Sequence, residues 1–213
     1  MEFEGELPDG RRILFRKIRP DDKKMLADGF DRLSPESRYR RFFRHIDRLS
    51  EKDLRYLTEI DFRDHYAWVA VLPDEPSMPG VGVARWIRIP QERDRAEAAV
   101  TVIDSMQNQG IGTSLLWLLG RSAIDNGIRA FRVWVQGENH PMLGLLREQG
   151  IEPTGWTGGV AEMDIPLPGA GRLLEERASR FLKVVATGEA EGEASESRVG
   201  TRLIEPSERG EGT

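Results

Sequence analysis

The chain of 213 residues contains no cysteine. That absence removes disulfides, thiolate metal ligands and any cysteinyl acyl-enzyme at once. Histidine is scarce as well: His45, His65 and His140 stand at spacings that match no metal-ligand pattern, so no metal is expected. No apolar run approaches the roughly 18 residues that cross a bilayer as a helix, which argues against a membrane role. The opening segment MEFEGELPDG is acidic and polar, unlike a secretory signal, and a cytoplasmic location is the default expectation. With a net charge of −5 and no recognised nucleic-acid module, the chain is not expected to bind DNA or RNA.

A hydrophobic share of 38% beside 31% charged residues suits a globular domain with a real core. The charge is uneven. Residues 187–213 carry seven Glu against three Arg, a balance of −4 that leaves −1 for residues 1–186. That segment has few apolar residues and no periodicity, so it cannot offset the entropy of ordering and is expected to be a disordered acidic tail. Val199, Leu203 and Ile204 are a candidate docking motif within it. The stretch from Arg172 to Val185 has amphipathic spacing. The expected division is a domain over 1–168, a C-terminal helix in 169–186, and the tail.

Arg11–Ile18 reads as the first strand, closed by Pro20, and Asp21-Asp22 opens a helix carrying Met25, Leu26 and Phe30. Ser34-Pro35-Glu36 starts a second helix, with Ser34 as N-cap and Pro35 at the first helical position. A third short helix is expected over Glu51–Glu59. Residues 66–73, 80–89 and 96–104 read as an antiparallel meander. A helix follows from Gly112 to Asn126, then a strand at Phe131–Val135, a helix from Asn139 to Gly150, and a closing hairpin near 151–157 and 160–166. The fold class is α/β or α+β, built on one mixed sheet with flanking helices.

Chemistry concentrates in VTVIDSMQNQGIGT, residues 100–113. A strand runs into a loop with Gly110 and Gly112, and the loop runs straight into a helix. Backbone N–H groups without intrahelical partners converge at such a junction, and the helix dipole favours an anion there. Glycines let phosphate oxygens approach the main chain closely. The loop lacks the lysine of a Walker A motif and the three glycines of the dinucleotide fingerprint.

Gln107-x-x-Gly110-x-Gly112 resembles the Q/R-x-x-G-x-G/A signature of the GNAT acyltransferases, in a matching position after the fourth strand of this reading. The resemblance covers roughly residues 10–168. It implies a GNAT fold, acetyl-CoA as co-substrate, and N-acetyl transfer to a primary amine. It implies that Gln107 and the loop Gln109, Gly110, Ile111, Gly112 and Thr113 hold the pyrophosphate. It also implies that Val100 and Val102, on a strand often splayed from its neighbour by a bulge, line the pantetheine arm. LSPESRYRRFF (33–43) together with AEAAVTV (96–102) is similar to bacterial protein-lysine acetyltransferases, which suggests a protein lysine as acceptor. A small amine is the alternative acceptor, and a CoA-binding sensor without chemistry is the alternative function.

In resembling acetyltransferases a glutamate ten residues before the signature deprotonates the amine. Glu97 stands ten before Gln107 and is the candidate general base. A lysine-like ammonium, with a pKa near 10.4, must lose a proton before it can attack a thioester. Asn139 matches an asparagine that helps hold the cofactor arm, and equally suits an ordinary N-cap. The family's usual tyrosine acid has no counterpart in PMLGLLREQG (141–150). A ternary complex is expected rather than an acyl-enzyme. Arg38, Arg40, Arg41, Arg44 and Arg48 read first as a solvated helix face, with an acidic acceptor or the 3′-phosphate of CoA as the functional alternative. The five tryptophans read as core or groove wall.

Overall fold

The computed structural model describes residues 2–43, 45–148, 150–167 and 202–204. Among the described residues, nine strands form one sheet in the order β7-β8-β6-β5-β4-β3-β2-β1-β9. Strands β1 (Glu2–Glu6) and β2 (Arg12–Lys17) make an antiparallel hairpin. Helices α1 (Lys23–Asp31), α2 (Pro35–Phe42) and α3 (Glu51–Thr58) follow. Strands β3 (His65–Val71), β4 (Gly80–Ile89) and β5 (Glu92–Val102) then pair antiparallel in turn, as the meander reading expects. Helix α4 (Ile111–Asp125), strand β6 (Ala130–Gln136), helix α5 (His140–Glu148), and strands β7 (Gly155–Thr157) and β8 (Val160–Pro166) complete the domain.

The local rules behind these elements are visible. Ser34 Oγ accepts from the Ser37 N–H at 3.1 Å, the N-cap bond expected of it, and Pro35 stands in the first turn. Ser50 caps α3 in the same way, and Asp53 bonds back to the Ser50 N–H at 3.0 Å. Asn126 and Gly127 end α4, with Gly127 at φ +77°.

Three expectations are corrected. The first strand is Glu2–Glu6 rather than Arg11–Ile18, so the signature loop follows the fifth strand. Phe3 and Leu7 are buried while the glutamates between them face outward or lie half-covered, and this alternation was hidden by the acidic composition. In β5, the ladder with β4 runs without a shift from Ala96 to Val102, and the bulge lies at Arg88/Ile89. Within the segment assigned to a disordered tail, Arg202–Ile204 form strand β9, antiparallel to β1 at Glu4–Glu6. The remainder of that segment and the expected helix at 172–185 lie outside the described residues.

The sheet divides the interior into two layers. One face carries Phe15, Trp68, Ala84, Trp86 and Ala96 against α4. The other carries Ala67, Val69 and Val71 with Met25 and Leu26 of α1. A Cβ on Gly82 would lie 2.9 Å from Leu115 Cδ1 and 3.3 Å from Ile111 Cγ2, so this glycine lets the first turns of α4 approach the sheet. No helix among the described residues is long and apolar enough to cross a membrane.

Candidate active site

Strands β5 and β6 run parallel but pair over only three positions, ending at Glu97↔Arg132. Beyond Glu97 the β5 main chain keeps its β4 ladder and has no ladder to β6. The two strands therefore diverge, and the β5 main chain between Ala98 and Val102 opens as an edge inside the sheet, with the Val102 carbonyl taken by Gln107. An ion-pair cluster holds the closed end. Arg132 of β6 donates to Asp164 at 2.9 Å and Glu92 at 2.6 Å, and Arg95 donates to the same Glu92 at 2.6 Å. The hydrogen bonds that Arg132 donates to Asp164 and Glu92 raise its pKa further above its ordinary value.

Glu97 stands at the vertex of this wedge. Its side chain is exposed and makes no hydrogen bond or ion pair among the described residues. Because side chains alternate along an unshifted strand, Glu97, Ala99 and Thr101 share the face toward α1–α3. Ala98, Val100 and Val102 point to the other face, where all three pack half-buried against the core. The side chains of Val100 and Val102 thus support the α4 layer, while their main chain forms the open edge.

At the head of the wedge, α4 begins. Gly110 is its N-cap at φ +81°, a left-handed conformation that glycine adopts without strain. The first intrahelical bond is Ser114 N–H to the Gly110 carbonyl at 3.0 Å, so the N–H groups of Ile111, Gly112 and Thr113 have no acceptor within the helix. The Ile111 side chain is buried in the core, which leaves only its main chain facing the loop. Gln107 donates its Nε2 to the Val102 carbonyl at 3.1 Å, clamping the loop onto β5, and Gln109 Nε2 lies 3.8 Å from Met106 Sδ. Asn139 occupies the cap position of α5, its carbonyl accepting from the Leu143 N–H at 3.0 Å.

Sequence reasoning missed Asp104. Its carboxylate accepts from Ser34 N–H at 2.9 Å, Ser34 Oγ at 2.9 Å and Ser37 Oγ at 2.8 Å, tying α2 to the end of β5. Partial burial, which raises its pKa, is outweighed by these hydrogen bonds, and the net shift is downward. A pocket of about 60 Å³ between the sheet and α1–α3 was missed as well. Met25, Phe30, Leu49, Leu57 and Val69 are among its apolar walls, and Arg41, Arg85 and Thr101 bring polar groups to it. The signal for Arg85 was present: it falls between Val83 and Ile87 on one strand face, an inward position for a charge.

The basic run is only partly a solvated face. Arg38 donates to the carbonyls of Leu33, Asp47 and Asp31 and lies 4.6 Å from the Phe30 ring, while Arg41 is half-buried. Arg44 lies outside the described residues. Among the tryptophans, Trp68 and Trp86 are core, whereas Trp134 and Trp156 are 36% and 53% exposed.

Comparison with known proteins gives the family. The model of the acetyltransferase (GNAT) family matches residues 33–151. The chain belongs to the GNAT acetyltransferase family. It is 33% identical over 123 residues to an acetyltransferase of Pseudomonas aeruginosa, covering 58% of this chain. It is 30% identical over 182 residues to the acetyltransferase Pat of Mycolicibacterium smegmatis, covering 83% of this chain. It spans 66% and 54% of the length of these two relatives. Among solved structures, the GNAT domain of S. lividans PAT superposes with a TM-score of 0.68 at 29% identity, over 78% of this chain and 97% of that one. A more distant fold neighbour from Salmonella typhimurium, with a TM-score of 0.53 at 17% identity over 75% of this chain and 96% of that one, was solved with acetyl-CoA.

Proposed function

We propose that this protein transfers the acetyl group of acetyl-CoA to a primary amine by direct attack within a ternary complex. The observation that carries the reading is the wedge: β5 leaves β6 immediately past Glu97, and the α4 N-terminus stands at its open end. The main-chain edge at 98–102 suits the amides of a pantetheine arm, and the free N–H groups of 111–113 suit its pyrophosphate. Glu97, unpaired at the vertex, takes a proton from the acceptor ammonium. The neutral amine then attacks the thioester carbonyl, forming the N–C bond as the C–S bond breaks, and the second proton on nitrogen passes through water to the departing sulfur. The sulfur leaves as a thiolate, acidic enough to depart without a strong acid, which accommodates the missing tyrosine in 141–150. A cytoplasmic location and an acceptor of the protein-lysine type, drawn from residues 33–43 and 96–102, complete the reading. The rival reading, a CoA-binding sensor, draws on that missing tyrosine.

The test measures CoA release from acetyl-CoA against a panel of amines, amino acids and lysine peptides, beside labelled transfer into cell lysate. Glu97→Gln is expected to keep acetyl-CoA affinity while lowering turnover about 10²-fold, the usual scale for a positioned base. Turnover within threefold of the parent would remove Glu97 from the mechanism. Tight acetyl-CoA binding with no transfer to any acceptor would favour the sensor.

A further inference from the structure

Apart from Arg38, which donates to three main-chain carbonyls, the other well-covered arginines of this domain come with carboxylates. Arg16 makes a two-pronged pair with Asp22 at 2.7 Å and 2.7 Å, and Arg88 donates to Asp64 at 2.6 Å. Arg132 holds Asp164 and Glu92. Arg85 does not follow this pattern. It is 4% exposed, yet its partners are the His65 Nε2 at 2.7 Å and the Leu57 carbonyl at 3.1 Å, both neutral. Arg41, lining the same pocket, makes no ion pair among the described residues, and its guanidinium lies 4.9 Å from the Phe42 ring. Thr101 Oγ1 is buried without a hydrogen-bond partner and lines the pocket too. Two like charges and an orphan hydroxyl around an apolar pocket are costly to fold, and an aliphatic side chain at either arginine would relieve that cost. A ligand that supplies the missing anion relieves it as well.

We infer that this pocket receives a carboxylate carried by the acceptor, so that the preferred substrate presents an acidic group close to its reacting amine. The inference rests on the reading of Glu97 as the group that meets the amine. Arg85 is opposite Ala99 in the β4–β5 ladder, two residues along β5 from Glu97 and on the same face. Strand residues advance about 3.4 Å each, so Arg85 and Glu97 fall within the reach of one small acceptor. The guanidinium groups of Arg85 and Arg41 take the two carboxylate oxygens, and the Thr101 hydroxyl donates to one of them. The carboxylate comes either from a small amino acid itself or from an Asp or Glu beside a target lysine.

Two arms of one experiment separate these sources. The first compares glycine, β-alanine, 4-aminobutyrate and L-lysine with their amides; the second compares lysine peptides carrying flanking Asp or Glu with their Asn or Gln counterparts. Each is measured for kcat/KM and, by calorimetry on the enzyme–CoA complex, for binding without turnover. Acids are expected to exceed their neutral partners at least 30-fold in one arm, which identifies the source. Arg41→Met, on a half-covered helix position, and Arg85→Met are each expected to cut that preference to below threefold, with acetyl-CoA affinity unchanged. Amides and acids within threefold of each other in both arms and both measurements would overturn the inference, as would a preference that survives both substitutions. Loss of acetyl-CoA affinity in Arg41→Met would assign the arginines to the phosphates of CoA instead, also overturning it. Acid-selective binding without transfer would leave the pocket assignment standing and sink the enzymatic reading alone.

Discussion

Arg85 leans on His65, and the two residues explain each other. Burial, with the Arg85 charge second, pushes the His65 pKa down to about 4, while Asp61 opposes the shift. The ring is therefore neutral at pH 7, and its Nε2 can accept from the guanidinium. Burial and then the Arg41 charge push the Arg85 pKa down to about 9, which leaves it a cation at neutral pH. The histidine has a consequence for stability. An unfolded histidine titrates near 6.5, so as pH falls from there toward 4 the unfolded chain takes up the proton first. The contribution is complete above pH 6.5 and is lost between 6.5 and 4. Melting temperature is expected to fall between pH 7 and pH 5, before most carboxylates respond, and His65→Gln should flatten that part of the profile. Thermal melts at half-unit steps check this, and an unchanged slope in the variant would place the effect elsewhere.

At the scale of elements, the start of α4 is the segment most exposed to a single change. Gly112→Val leaves a helical position helical but sets a branched Cβ among the free N–H groups of the first turn. Acetyl-CoA affinity is expected to weaken more than tenfold, about 1.4 kcal/mol, with little change in secondary structure. Calorimetry together with circular dichroism checks both halves. This junction was legible in the sequence because strand, glycines and helix are contiguous. Ser34 with Pro35, and the run 80–89, were legible for the same local reason. The wedge was legible only through resemblance, because pairing between β5 and β6 joins residues more than thirty positions apart. The Asp104 contacts with Ser34 and Ser37 and the meeting of Arg41 with Arg85 were not legible, since each joins separate elements packed in three dimensions. Arg41 shares a helix with Arg40, which does face water, and composition cannot tell them apart.

For the molecule as a whole, β9 extends the sheet at the end opposite the wedge. Three residue pairs join it to β1, and the order β1-β2-β3-β4 separates it from β5. Removing residues 187–213 is therefore expected to lower the melting temperature by a few degrees at most, and to leave acetyl-CoA affinity within twofold of the full chain. A larger thermal loss would mean that the acidic segment packs more widely than one short strand. A change in affinity would mean that it reaches the site. The first strand itself shows how composition misleads: Glu2, Glu4 and Glu6 made the segment read only as acidic and polar, although Phe3 and Leu7 alternate with them in strand register.

The wedge also gives the protein a built-in reporter. Main-chain amides of Val100 and Val102 point away from β4 and have no ladder partner, so in the empty protein they exchange with solvent deuterium far faster than those locked to β4. Seated pantetheine would slow them selectively. A footprint confined to alternate residues of one strand, appearing on addition of CoA and absent with adenosine 3′,5′-bisphosphate, would trace the arm of the ligand without reference to any side chain. Because the contacts belong to the backbone, substitutions at Ala99 or Thr101 should leave that exchange signature in place even where they alter which acceptor is used.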